Sequence, residues 1–150
     1  MVDQSAVGRT TEPFEMEVER GKIREFARAT MSRNPDYLDD PLAVSPPTFL
    51  MTSAFWGSPE QASPLAGLDV NLARILHGGQ EFTFHGPPPR AGSKLTAQSR
   101  IDAIYEKEGR RGGTMTFIEA VTEFRDESGK VVAESKNVII ETGKAPTEEG

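Results

Sequence analysis

Residues able to move protons are sparse in this chain, and the densest group of candidates lies between Thr30 and Asp40. The run Ala29-Thr30-Met31-Ser32-Arg33-Asn34-Pro35-Asp36-Tyr37 sets a hydroxyl, an amide, a carboxylate and a phenol close together. A lone serine hydroxyl is no general base. A phenol with an ordinary pKa near ~10 is a poor one around neutral pH. Asp36, Asp39 and Asp40 supply carboxylates, but in this polar, proline-bearing stretch they read as a solvated turn. Asn34 before Pro35 itself favours a turn. There are two histidines, His77 and His85, and no cysteine. Without acidic neighbours in a ligand pattern, the histidines give no metal motif. The missing thiol excludes a cysteine nucleophile, a Cys-ligated zinc and a disulfide framework.

His77 stands before Gly78-Gly79. Glycines let a backbone approach a ligand closely. They also accommodate a bulge where a strand begins, and a bulge beside a hydrogen-bonded histidine is the favoured reading. His85, ahead of Gly86-Pro87-Pro88-Pro89, reads as a strand-end residue. Arg90, Lys94 and Arg100 are cations that could meet phosphates, although surface basic residues usually meet water. Arg110-Arg111 sits between glycines and reads as a turn tip. A net charge of -6 argues against nucleic acid, which needs a clustered basic surface.

The elements that must position these residues follow from periodicity. Phe14, Met16 and Val18 alternate with polar neighbours, a strand signal. Ile23, Phe26, Ala27 and Thr30 recur at helical spacing, so a helix is expected from about Glu19 to Thr30. Asn34-Pro35 ends it, because the residue before proline is pushed out of the helical region. Pro46-Pro47 introduces Thr48–Trp56, which is apolar on nearly every side and predicts a buried helix. Glu60 to Asn71 reads as an irregular connection.

Strands are expected near Ile75–His85, Lys94–Glu106, Thr114–Arg125 and Val131–Thr142, the last three joined by Gly-rich turns. In the second, Leu95, Ala97, Ser99, Ile101, Ala103 and Tyr105 share one face. In the third, Met115, Phe117 and Val121 oppose Ile118, Ala120 and Phe124, as in a strand covered on both sides. The expected fold is α+β: a curved antiparallel sheet wrapped around a central buried helix, the hot-dog fold. With 150 residues the chain suits one domain, set at 12–143. Residues 1–11 read as a flexible tail or a packing arm, and 144–150 as a flexible tail. No basic, apolar leader and no bilayer-length apolar run is visible, and the lack of cysteine fits a reducing compartment, so a cytoplasmic protein is expected.

Four pieces of the sequence, in order, resemble the MaoC-like, (R)-specific enoyl-CoA hydratases and dehydratases. The family signature reads roughly Thr-Gly-Asp-x-Asn-Pro-x-His, and Asn34-Pro35 matches it. Pro46-Pro47-Thr48-Phe49 resembles the Pro-Pro-Thr-Phe start of the family's central helix. His77-Gly78-Gly79-Gln80-Glu81-Phe82 resembles its His-Gly-Gly-x-x-Phe string, and Pro89 to Leu95 its Pro-x-x-x-Gly-Asp-x-Leu turn. The resemblance covers roughly Phe14 to Gly143 and is closest to the N-terminal, noncatalytic partner-type domain.

The resemblance implies that Ser32 and Tyr37 occupy the positions of the family's catalytic Asp and His, so no catalytic residue is assigned here. It implies an acyl-CoA thioester as ligand, with Asn34, Tyr37, Phe49, Met51, Phe55, His77 and Gly78 as candidate substrate-binding residues and Trp56 beside them. It implies no metal and no cofactor. It also implies a second hot-dog chain, in a hetero- or homodimer, that carries the Asp/His pair. Two alternatives stay open: a hot-dog acyl-CoA thioesterase and a nonenzymatic acyl-CoA-binding homodimer. The absence of any carboxylate in Phe49–Trp56 weighs against the thioesterase.

Overall fold

The structure is a computed structural model, and it describes residues 2–109 and 113–143. Five strands form one antiparallel sheet in the order β1-β3-β4-β5-β2. They are β1 (Phe14–Glu17), β2 (Ile75–Phe84), β3 (Lys94–Glu108), β4 (Thr114–Arg125) and β5 (Val131–Glu141). Each begins and ends within two residues of expectation. Hairpin order makes β3, β4 and β5 neighbours. The long connection between β1 and β2 sends those two strands to opposite edges.

That connection carries α1 (Arg20–Ala29), α2 (Pro35–Leu38) and α3 (Pro59–Ala62), with 3-10 turns at Phe49–Phe55 and Leu72–Arg74. Helix α1 turns Ile23 and Ala27 inward, as its period requires. Ser58 and Gln61 close a reciprocal capping box on α3.

One face of the sheet is the core. Phe14, Met16, Leu95, Ala97, Phe124 and Ala133 form its first cluster, joined by Val18, Ile23, Ala43, Phe49 and Leu50. Ile101, Ile104, Ile118 and Ile139 form a second cluster, closed by Val2, Leu65, Leu68, Val70 and Ile75. Between them runs a polar belt in which Ser99 and Thr122 share a hydrogen bond of 2.7 Å and Gln80 donates to Ser135 at 2.5 Å.

Three expectations need correction. The central segment is a 3-10 turn, not an α-helix buried all round. Phe49, Leu50 and Thr52 are buried, whereas Met51 is 42% and Phe55 82% exposed. A single sheet covers only one side of it. In β3, a bulge between Ile101 and Ala103 shifts the alternation by one residue. Ile104 therefore takes the buried position, and Tyr105 moves to the outer face, stacked on Phe117 at 5.1 Å.

The N-terminal residues are the third case. Of the two readings, the packing arm is the one found. Val2 is buried, Gly8 N–H donates to the Ile101 carbonyl at 2.8 Å, and Thr11 N–H donates to Ser99 at 2.9 Å. The tail expected at 144–150 and the Arg110-Arg111 turn tip lie outside the described residues. Among the described residues, no helix is long and apolar enough to cross a membrane.

Candidate functional site

The motif loop is built from the C-terminus of α1. Ser32 N–H donates to the Ala27 carbonyl at 2.8 Å and Met31 N–H to Arg28 at 3.0 Å, the bonds that close a helix by a left-handed residue. That residue is Met31, with φ 57. Glycine is the usual occupant of such a position, since a side chain there crowds the following carbonyl. In the family signature, glycine stands at this place. The requirement was visible in the resemblance, but spacing alone does not disclose it.

From Met31 onward, two side chains of the motif shape the chain, those of Ser32 and Asn34. The Ser32 hydroxyl accepts from Asn34 N–H at 3.3 Å. The Asn34 side chain accepts from Asp36 N–H at 3.0 Å and so caps α2, with Pro35 in its first turn. Arg20 ties α1 to this unit by donating to the carbonyls of Asp39 and Asp40, at 3.3 and 3.2 Å. Tyr37 is half-buried and packs on the first core cluster. Asp36 and Asp39 are exposed. Asp40 accepts from Leu42 N–H at 2.8 Å.

The central segment is pinned from both sides. Ser45 N–H donates to the Pro89 carbonyl at 2.9 Å and Ala91 N–H to Ala43 at 2.8 Å, so the Pro-Pro lead-in lies against the turn before β3. Phe49 meets Phe26 of α1 edge-on, with ring centroids 5.7 Å apart. Phe49 and Tyr37 therefore belong to one packed unit. Met51 and Phe55 lie on the exposed side of the same turn.

His77 and Gly78 sit apart from that unit, on the edge strand β2. The register slips between His77 and Gly79, which is the bulge anticipated from the glycines. A Cβ on Gly78 would stand 2.8 Å from Ile140 Cδ1 and 3.0 Å from the Val138 carbonyl oxygen, so glycine is required by close approach to β5. His77 is exposed. His85 pairs with Glu134 at 2.6 Å, which the sequence did not disclose.

At the start of β2, Arg74 reaches Glu141 at 2.6 Å, and Asn71 N–H donates to the same carboxylate oxygen at 3.0 Å. This clasp fixes where β2 begins. On the outer face, Glu119 accepts from Lys136 at 2.5 Å and from the Tyr105 hydroxyl at 2.9 Å. The Lys136 ammonium, and secondarily the Tyr105 hydroxyl, hold the Glu119 carboxyl below its ordinary range. Among the described residues, no group of His, Asp and Glu is arranged to hold a metal ion.

A cavity of 780 Å³ lies away from the motif, between β1, the turn after β4 and Trp56. Its walls include Glu15, Glu17, Lys94, Arg125 and Glu127, but no member of the motif loop. The candidate substrate residues divide between the packed wall of Tyr37 and Phe49, the exposed side of the central turn, and the β2 edge. None of them lines that cavity.

Comparison with known proteins agrees with this architecture. The profile of the FAS1-like, dehydratase domain region matches residues 5–135. A UPF0336 protein of Streptomyces coelicolor is 37% identical over 143 residues, covering 87% of this chain and 89% of its own. The HadBC (3R-hydroxyacyl-ACP dehydratase) complex of Mycobacterium tuberculosis contains a chain that superimposes with a TM-score of 0.73 at 26% identity, over 90% of this chain and 96% of that one. The ChsH1-ChsH2 complex of the same organism gives a TM-score of 0.72 at 18% identity over 97% and 89%, a likeness of fold alone. The hot-dog architecture expected from the sequence is the architecture found.

Proposed function

The chain belongs to the FAS1-like dehydratase-region family, and from that premise we propose that it is a MaoC-like hot-dog subunit of an (R)-specific enoyl-CoA hydratase or dehydratase. It supplies acyl-chain binding and scaffold, while a partner chain of the same fold carries the catalytic Asp and His. The observation that carries this reading is the state of the motif loop. The helix end, the Asn34 cap and the Pro-Pro lead-in are intact, yet Ser32 and Tyr37 replace the acid–base pair, and the Ser32 hydroxyl is committed to Asn34 N–H.

The chemistry divides accordingly. Hydration adds the oxygen of water to C3 of a trans-2-enoyl thioester and a proton to C2. Those transfers need a base and an acid with pKa values near the working pH. Removing one such group costs about 10²–10⁴-fold in rate. Here neither stands on the loop. What remains is apolar: Tyr37 packed on the core that holds the buried Phe49, with Met51 and Phe55 exposed beside it for an acyl chain to meet. Asn34 shapes the turn, and Gly78 keeps β2 close to β5 beside His77.

Two further features support a partner. β2 is an edge strand ten residues long, and unpaired strand edges invite pairing with another chain. Phe55 and Met51 expose apolar surface that a second subunit would cover. The HadBC and ChsH1-ChsH2 neighbours are each complexes named for two components.

The test is hydration of crotonyl-CoA and of a long-chain enoyl-CoA, by the isolated chain and by the chain co-purified with a hot-dog partner bearing an intact Gly-Asp-x-Asn-Pro-x-His string. Activity is expected only in the pair. Turnover by the isolated chain at the rate of the pair would overturn the proposal.

A further inference from the structure

The outer side of α1 carries charges that the packing of this chain does not use. Arg20, Arg24 and Arg28 stand at i, i+4 and i+8, so they line one side of the helix, and all three are exposed. At a helical rise of about 1.5 Å per residue, the stripe runs about 12 Å. Arg20 donates only to main-chain carbonyls. The guanidinium groups of Arg24 and Arg28 have no hydrogen bond or ion pair among the described residues. Glu25, the acid within the same exposed stretch, is held by Lys22 at 3.0 Å.

This arrangement opposes the stability of α1. Like charges four residues apart repel. Arg20 in the first turn stands against the helix dipole, whereas Arg28 in the last turn agrees with it. The stripe is also set against a chain of net charge -6. At its C-terminal end stands Met31, 87% exposed and held in the left-handed conformation at φ 57. Arg33 follows, also exposed. A row of mutually repelling arginines thus runs into an exposed, conformationally strained apolar side chain.

We propose that Arg20, Arg24, Arg28 and Met31 form a docking surface for an acidic helix of a partner protein. Arginine forks match carboxylates and hold them in two parallel bonds. Rows of arginine are a known mode of acidic-motif recognition. A helix with acids at i, i+4 and i+8 repeats the same pitch, and Met31 gives it an apolar anchor. A single phosphate group would instead need convergent donors. A straight stripe on a convex helix does not converge, and the walls of the cavities beside β1 and the proline-rich turn are made of other residues. The surface does not depend on the hydratase reading, because it lies on α1 and not on the β2 edge.

The experiment uses the full chain, isotope-labelled and titrated with a synthetic helical peptide bearing Glu at i, i+4 and i+8. A peptide with Gln at those positions is the control. Amide shifts are expected to concentrate between residues 20 and 33 and to fade as salt is raised. Arg24→Glu with Arg28→Glu is expected to weaken binding about tenfold or more while leaving the chain folded, as its circular dichroism shows, since both side chains are exposed. Met31→Asn, which tolerates the left-handed conformation, is expected to weaken it several-fold without changing the salt dependence. Any of four results overturns the proposal: no shifts on α1 at millimolar peptide, equal binding of the Gln peptide, equal binding by the double variant, or displacement by millimolar inorganic phosphate at constant ionic strength. The last would reassign the stripe to a phosphate ligand.

Discussion

Replacing Met31 by glycine should make the free chain more stable, although it deletes an entire side chain. Met31 is 87% exposed, so little burial is lost. Its φ of 57 places a side chain in a conformation that costs an L-residue about 1–2 kcal/mol. Glycine removes that strain. It also frees the unfolded chain, which takes back roughly 0.5–1 kcal/mol. At the middle of both ranges, the difference is a net stabilisation of about 0.75 kcal/mol. For a domain of this size that corresponds to a rise of roughly 1–4 °C in melting temperature. Urea unfolding followed by circular dichroism measures it, with the denaturant slope as a check that the unfolded state has not changed character. Met31→Ala is the control: it removes the same side chain but keeps the strain, so it should stay within about 0.5 kcal/mol of the parent. A clear loss of stability in Met31→Gly, or equal gains in both variants, would refute the reasoning.

Gly78→Ala should destabilise the chain by about 1–3 kcal/mol in urea unfolding, because the new methyl would meet Ile140 at 2.8 Å and a backbone oxygen at 3.0 Å. Ser32→Ala should cost about 0.5–1.5 kcal/mol through the lost acceptor for Asn34 N–H. Tyr37→Phe should stay within about 0.5 kcal/mol, since the wall that Tyr37 forms is made by its ring. Glu119 has a carboxyl held low by Lys136, so its contribution is present above the unfolded carboxylate pKa and is lost as pH falls through the lower folded value. Glu119→Gln should therefore lower the melting temperature near neutral pH, with the two curves converging in acid.

Much of this architecture was legible because it rests on periodicity and punctuation. The β3–β4–β5 hairpins were marked by alternation and Gly-rich turns, and α1 by its inward Ile23 and Ala27. The Gly78 bulge was legible from chemistry, since paired glycines at a strand start are rarely needed for anything but close approach or bulging. The bulge in β3 was not. Ile101 and Asp102 have no residue type that announces a slip, and one extra residue reversed the faces of everything after it. The central turn was over-read for a different reason. An all-round apolar run signals burial, but not whether the covering surface comes from its own chain. Phe55 and Met51 are exposed because one sheet covers only one side. Long-range ion pairs such as Arg74–Glu141 left no local trace at all.

The motif loop shows how Ser32 and Tyr37, standing where the family signature has Asp and His, are built into the turn. In the family signature the Asp and His do chemistry while Asn and Pro hold the turn. Here the residue at the Asp position contributes to the turn as well, because Ser32 accepts from Asn34 N–H and Asn34 in turn caps α2. Tyr37, at the His position, adds bulk to the wall that includes Phe49. Ser32 and Tyr37 thus each serve the packing of the loop. The exception is Met31, which spends strain where glycine would cost none. A residue that is exposed, apolar and strained gains nothing from its own chain, so its benefit has to lie in contact with another. On the proposal of a docking surface along α1, that contact is the partner helix, and the Met31→Asn variant measures what it contributes.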